Sequence, residues 1–266
     1  MKIVVIGGTG LIGTKVVAVL RNMGQAVVAA APSTGVDTIT REGLDAALVG
    51  AHVVIDVSGP SGVGGEEEFF VTSTRNLLAA ELEAGVRHHI VLSIVGVDRV
   101  DTSDYFLAKF AQENEVRRGR VPYSILRSTQ FFEFAGLIAD WNTVDDTIHL
   151  PPIEIRPVAS DDAANALVSF ARDVPTQTIS EVAGPEQLTL DDFVRRVLLH
   201  RHDERYVVRA PHVRPVGFNI EGTMLAPGPD ATRTETTLDM WLDGVVAADA
   251  SPGRHAAPFM FNDEGT

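Results

Sequence analysis

A chain of 266 residues, 45% hydrophobic and 22% charged, can bury a large core and fits one domain or one domain with a small appendage. Its 36 acidic against 22 basic residues give a net charge of −14, which repels nucleic acid and anionic membranes and excludes both as expected partners. The absence of cysteine excludes disulfides, zinc–thiolate centres and thiol chemistry.

Lys2-Ile3-Val4-Val5-Ile6 is an apolar run that enters the glycine cluster Gly7-Gly8-Thr9-Gly10-Leu11-Ile12-Gly13. Ile12, Val16 and Leu20 then share one helical face. Strand, tight turn and helix follow one another, and the glycines satisfy G-x-G-x-x-G at Gly8, Gly10 and Gly13. Such a turn lets the backbone approach a pyrophosphate closely, and the helix presents unpaired N–H groups to that anion. The expected ligand is a dinucleotide. Because the first strand begins at residue 2, no leader peptide is expected, and no apolar run reaches the ~20 residues that span a bilayer. The expected location is the cytoplasm.

Gly24 ends the first helix, and Gln25–Ala31 reads as the second strand. An acid at the end of that strand would bond a ribose 2′-OH and select NAD. Here stand Ala30, Ala31, Pro32, Ser33 and Thr34, with neither acid nor arginine. That favours NADP, with NAD still possible; Ser33 and Thr34 are the expected donors to a 2′-phosphate. Asp37 is placed to reach the adenine or to cap a turn.

Residues 41–49 read as a helix and His52–Val57 as a third strand, ending in Ser58-Gly59. A flexible loop over 61–65 leads to a helix over 66–84, opened by three glutamates and closed by Gly85. His89–Leu92 is the fourth strand, closing on Ser93. His88-His89 flank it and are read as surface residues rather than metal ligands, so no metal is expected. Asp101-Thr102-Ser103-Asp104 precede a helix over 105–118, and Tyr123–Leu126 is a fifth strand. Strands alternating with helices, each strand near-continuously apolar, predict a doubly wound parallel sheet of Rossmann type. Residues 1–128 form the expected dinucleotide-binding core. Residues 129–266 supply the remaining sheet elements and a small substrate-binding region of the same domain. Within them, helices are predicted over 158–172, 189–200 and 238–246, and strands over 179–183 and 206–209. A Pro/Gly-rich irregular excursion spans 210–230, and the tail after 249 is expected to fray. Asp161-Asp162 and Asp191-Asp192 read as first-turn acids.

Tyr105 and Lys109 form Y-x-x-x-K, which puts both side chains on one helix face. An ammonium beside a phenol favours the phenolate and is expected to lower its pKa toward working pH, so that Tyr105 exchanges a proton with a substrate oxygen. Ser93, at the carboxyl end of the fourth strand, is placed to hold the same oxygen. Phe131, Phe132, Phe134 and Trp141 concentrate aromatics after the fifth strand, and the three phenylalanines are placed either in the core or as the wall of an apolar pocket.

Taken together, the glycine loop, Val57-Ser58-Gly59, Ser93 and Tyr105/Lys109 resemble the short-chain dehydrogenase/reductase superfamily. The stretches TRNLLAAELEAGVRHHIVLSIVGVD and LRSTQFFEF are similar to its atypical, NmrA-like members. The likeness covers roughly residues 1–200. It implies an NAD(P)-dependent oxidoreductase with Ser93, Tyr105 and Lys109 as catalytic residues, the lysine also holding the nicotinamide ribose. The superfamily's additional active-site asparagine falls near Phe70, which cannot hold a relay water. The expected cofactor set is Gly7, Gly8, Thr9, Gly10, Leu11, Ile12, Gly13, Pro32, Ser33, Thr34, Asp37, Val57, Ser58, Gly59, Ser93, Tyr105, Lys109 and Thr129. The expected substrate contacts, toward a small apolar molecule, are Phe70, Gln130, Phe131 and Phe134. Two alternatives are a non-catalytic NAD(P)-binding regulator and, with Arg195, Arg196, Arg201, Arg205 and Arg209 as diphosphate binders, a nucleotide-sugar epimerase or dehydratase.

Overall fold

The computed structural model describes residues 1–60, 65–100, 103–213 and 223–249. In chain order the strands and helices are β1 (Lys2–Ile6), α1 (Leu11–Asn22), β2 (Ala26–Ala30), α2 (Leu44–Leu48), β3 (Val53–Asp56), α3 (Glu66–Ala84), β4 (His88–Ile94), α4 (Asp104–Arg118) and β5 (Tyr123–Ser128). They continue as α5 (Ala135–Trp141), β6 (Thr143–Val144), β7 (Thr147–Leu150), β8 (Glu154–Ile155), α6 (Ser160–Arg172), β9 (Ile179–Ala183), β10 (Leu188–Thr189), α7 (Leu190–His200), β11 (Tyr206–Arg209), β12 (Thr232–Arg233) and α8 (Leu238–Asp249).

Seven strands pair in parallel in the order β12-β9-β5-β4-β3-β1-β2. The apolar runs explain this. Ile3 and Val5 face one layer of core with α1 and α6, while Val4 and Ile6 face the other with α2 and α3. A strand buried on both faces has no polar side to show, and a parallel sheet covered by helices is the architecture that hides it. From β1 the chain goes to one side for β2 and to the other for β3, so the loops after β1 and β3 diverge. That topological switch point, outside the carboxyl ends of the strands, is where open α/β sheets bind ligands. The registers Ile6↔Asp56, Asp56↔Val91 and Ser93↔Arg127 bring the ends of β1, β3, β4 and β5 to the same edge.

A third core gathers α5, α7 and α8 over Phe132, Ile138, Phe193 and Leu238. Two small sheets, β11-β7-β6 and β8-β10, frame it. Since β9 and β12 return to the main sheet, the C-terminal half completes the Rossmann-type layer as well as building beside it. No helix among the described residues is long and apolar enough to cross a membrane.

The structure corrects or extends the sequence reading at four places. The helix expected from residue 41 begins at Leu44, because Arg41 and Gly43 have φ of +66° and +67°, outside the right-handed helical region. After Trp141, where no strand was predicted, β6 and β7 form a hairpin. Its central residues Asp145 and Asp146 have φ of +47° and +61°, the all-positive pattern of a type I′ turn. His88 and His89, expected at the surface, lie within β4 and are 3% and 0% exposed. One ring nitrogen of each finds a protein partner: Ser124 Oγ lies 2.9 Å from His88 Nε2, and Glu81 Oε1 lies 2.8 Å from His89 Nδ1, while His88 Nδ1 and His89 Nε2 are buried without one. Finally, Asp191 is more than a first-turn acid; it is fully buried and accepts from Arg209 Nε at 2.8 Å. Parts of four predicted segments lie outside the described residues: 61–64 of the loop before α3, 101–102 of the capping cluster before α4, 214–222 of the Pro/Gly excursion and the tail from 250.

Candidate active site

The glycine loop closes on itself. Gly7 N and Gly8 N both donate to Ala30 O, and Gly10 N donates to Gly7 O at 3.0 Å. The four glycines are not equivalent. A Cβ on Gly7 would lie 2.8 Å from Ser58 Cα, one on Gly8 2.7 Å from Ala29 Cα, and one on Gly13 2.0 Å from Gly7 O. Those three are required by packing of the turn against β2, β3 and itself. A Cβ on Gly10 would meet nothing nearer than Gly7 O at 3.4 Å, and its φ of −81° is open to any residue. The fold does not ask for glycine there, so the bare position fits close approach of a ligand. Gly10 is also the N-cap of α1, which has no side-chain cap and no acid in its first turn, whereas α3, α4, α6 and α7 all carry acids there. The positive end of α1 is left for an external anion.

Ser93, Tyr105 and Lys109 line one cavity of about 200 Å³ with Gly10, Leu11, Ile12, Val57, Ser58, Gly59 and Thr129. β4 carries Ser93 to the sheet edge, and α4 begins at Asp104, so Tyr105 and Lys109 stand one turn apart on the same side. Ser93 Oγ is buried and has no hydrogen-bond partner. A buried hydroxyl left unpaired is costly, and a ligand oxygen would satisfy it. Lys109, 4% exposed, donates from Nζ to Leu92 O at 2.7 Å and to Gln112 Oε1, and its ammonium sits 4.7 Å from the centre of the Phe70 ring. Burial lowers its pKa to about 8, against the opposing pull of Asp56 and Glu113.

Tyr105 differs from expectation. Burial pushes its phenol up to about 12, so the proton stays on the oxygen at working pH. The physical reason is its surroundings: the ring lies edge-on to Phe70 at 5.7 Å and to Phe106 at 6.4 Å, an apolar setting that penalises phenolate.

Much of the remaining lining is apolar. Phe131, Phe134, Leu137, Ile138 and Trp141 form it, along with Gln130, whose Oε1 is buried without a partner. Leu137, Ile138 and Trp141 were missed in the sequence; their spacing after Phe134 is the helical stripe that α5 presents. Phe132 points the other way, packing 5.5 Å from Trp241 in the third core. Phe70, expected to touch substrate, is fully buried behind Tyr105 and Lys109 and does not line the cavity.

Around the end of β2 the donors are fewer than expected. Thr34 Oγ1 accepts from Ala31 N at 2.9 Å and lies 3.0 Å from Ala29 O, so it closes the turn at Pro32–Thr34. Ser33 is exposed, with Oγ 3.4 Å from Thr9 Oγ1. Asp37 caps a turn by accepting from Ile39 N at 2.7 Å and Thr40 N at 3.1 Å. No cluster of His, Cys, Asp or Glu suited to a metal occurs among the described residues.

Comparison with known proteins agrees with this geometry. The model of an NAD(P)H-binding family matches residues 7–172, more than half of the chain. Among solved structures, UDP-N-acetylglucosamine 4-epimerase from Bacillus cereus superposes with a TM-score of 0.70 at 16% identity, covering 97% of this chain and 99% of that one. A short-chain dehydrogenase/reductase superfamily protein from Agrobacterium tumefaciens with bound NAD gives 0.67 at 17% identity, covering 94% and 97%. RMD from Pseudomonas aeruginosa, complexed with NADPH, gives 0.66 at 14%, covering 92% and 97%. No curated protein matches by sequence. At such identities the likeness is one of fold. The chain belongs to the NAD(P)H-binding family and has the fold of the short-chain dehydrogenases/reductases.

Proposed function

We propose that the protein is an NAD(P)H-dependent oxidoreductase of the short-chain type that interconverts an apolar carbonyl compound and its alcohol, with NADPH preferred. The observation that carries this reading is the meeting of three groups on one cavity wall: the unpartnered Ser93 hydroxyl, the Tyr105 phenol and the Lys109 ammonium. A bound nicotinamide would supply or accept the hydride; the glycine loop, the bare end of α1 and Lys109 are the groups to hold it. The chain does the proton work. Ser93 Oγ donates a hydrogen bond to the substrate oxygen, and Tyr105 Oη gives that oxygen its proton in reduction or takes it in oxidation. A phenol held protonated suits the reductive direction. The wall of Phe131, Phe134, Leu137, Ile138 and Trp141 supports an apolar substrate.

Two rival readings are weaker. A nucleotide sugar needs cations for its diphosphate, yet four of the five candidate arginines are spent on the chain's own acids. Arg195 bonds Asp191 and Asp192, Arg196 bonds Asp239, Arg205 bonds Asp203 and Asp140, and Arg209 bonds Asp191. A regulator without turnover has no use for a buried, unpaired serine beside a tyrosine and a lysine.

NADPH preference rests on the end of β2, which offers no carboxylate to repel a 2′-phosphate and leaves Ser33 as an exposed donor. Calorimetric titration should show NADPH binding more tightly than NADH, and Ser33→Asp should reverse the order. A panel of ketones, aldehydes and quinones with each cofactor, following loss of reduced-nicotinamide absorbance, tests the activity. Turnover of apolar members is the expected result. Tight cofactor binding with silence across the panel would favour the regulator.

A further inference from the structure

Beneath the cavity runs a buried polar chain that the reaction as written does not use. Lys109 Nζ donates to Gln112 Oε1, and Gln112 Nε2 donates to Asp56 Oδ2 at 3.0 Å. Asp56 Oδ1 in turn accepts from the Ser58 amide at 2.9 Å and the Ser58 hydroxyl at 2.6 Å. Lys109, Gln112 and Asp56 are all buried, and the two ends of the chain, Lys109 on α4 and Ser58 after β3, both line the cavity.

Chemistry fixes the polarity of this chain. An ammonium can only donate and an ionised carboxylate can only accept, so one orientation of the amide satisfies both neighbours. Hydrogen bonds in series polarise one another, and the amide therefore passes part of the carboxylate's pull to the ammonium. A carboxylate in direct contact would tie up the ammonium as an ion pair; an amide leaves its charge usable on the cavity side. Phe70, its ring centre 4.7 Å from Nζ, offers a π face and no acceptor. The groups of charge or titration facing Lys109 are Asp56 from β3 and Tyr105 and Glu113 from α4 itself; Phe70 of α3 and Leu92 of β4 add none.

We infer that Gln112 is a positioning residue of this site: its amide couples the Lys109 ammonium to the Asp56 carboxylate and holds it charged and aimed along the cavity wall, where position 70 supplies no polar side chain. This rests on the proposed role of Lys109, but its test does not need turnover. The full chain has three lysines, Lys2, Lys15 and Lys109, so [ε-¹³C]lysine labelling gives few signals, with Lys109 assigned by its loss in Lys109→Met. Its titration midpoint in the parent is expected near 8. Gln112→Leu should lower that midpoint by about one pH unit or more, and Gln112→Glu, which keeps the shape and adds charge, should raise it by a similar amount. NADPH affinity should fall several-fold in Gln112→Leu. A midpoint left at its parent value in either variant overturns the inference. If Gln112→Leu fails to fold, Gln112→Glu alone decides: a rise supports the coupling and no change ends it. A silent substrate panel removes the proposed reaction and leaves this test standing. An active enzyme with unshifted midpoints removes the role of Gln112 and leaves the reaction.

Discussion

Arg127 grips Glu113 through two hydrogen bonds, Nε to Oε1 at 2.8 Å and Nη2 to Oε2 at 2.7 Å, with Glu113 fully buried and Arg127 5% exposed. Arg127 is the register partner of Ser93 across β4 and β5, and Glu113 lies one turn beyond Lys109 on α4. The pair therefore ties the helix that bears Tyr105 and Lys109 to the strand beside Ser93.

Glu113→Ala removes one partner and strands a guanidinium that keeps only Asp98, which accepts from Arg127 Nη1 at 2.8 Å. Breaking a buried pair costs about 3–5 kcal/mol, and the rescue by half-exposed Asp98 puts the expected loss near the lower end. Urea unfolding of parent and variant measures it. A loss below about 1 kcal/mol would mean that α4 is held by its apolar contacts alone.

The glycines separate binding from folding. Gly10→Val should leave the urea midpoint within a few tenths of the parent and abolish NADPH binding by calorimetry, since a Cβ there meets only Gly7 O, at 3.4 Å. Gly13→Ala should instead destabilise the chain outright, because its Cβ would sit 2.0 Å from Gly7 O. Normal cofactor affinity in Gly10→Val would make the loop a turn and nothing more.

His88 carries an acid-side prediction. Burial first, and then the charge of His89, lower its pKa from 6.5 to about 4. Ser124 Oγ accepts from Thr176 N at 3.1 Å and lies 2.9 Å from His88 Nε2, a contact that the neutral ring makes as donor or acceptor. The unfolded chain takes up this proton at a higher pH than the folded one. The stability that comes from the neutral ring is thus fully present above about pH 6.5 and is lost as pH falls toward 4, about 3 kcal/mol over that window. His88→Gln keeps a partner for Ser124 and does not titrate, so its Tm should fall less steeply from pH 6.5 to 4. Identical slopes would contradict the assignment.

What the sequence made legible was set by how each signal is encoded. The main sheet was readable because runs such as Ile3–Ile6 and Val53–Ile55 are apolar on both faces and are soon followed by turn residues. Helix α3 was readable to the residue, with acids at one end and Gly85 at φ +72° at the other. The two-residue strands β6, β8, β10 and β12 were not, since no periodicity fits in two positions, and β8, β10 and β12 pair only with segments distant in the chain. His88 and His89 looked like surface because histidine usually is; the buried acid and serine that receive them stand 8 and 36 residues away. In the site, the glycine loop and the Tyr105/Lys109 spacing are local and were visible. The chain through Gln112 to Asp56 spans 56 residues and needed the fold. Phe70 was given a place at the substrate because alignment by motif fixes a position along a helix but not the depth of its side chain.

The central claim is that Tyr105 is the proton donor and Lys109 the charged group beside it. With the phenol held near 12 and the ammonium near 8, reduction should lose rate as pH rises through about 8, because Lys109, not Tyr105, gives up its proton there. Lys109→Met should lose that limb together with cofactor affinity. The most direct measurement is the rate of NADPH oxidation by Tyr105→Phe with a ketone that the parent reduces, cofactor affinity being measured in parallel. The ring keeps its contacts with Phe70 and Phe106, so affinity should stay within a factor of about two, while the rate should fall by about 10²–10⁴, the usual loss of a general acid. A Tyr105→Phe protein that reduces the ketone within a few-fold of the parent would contradict the account.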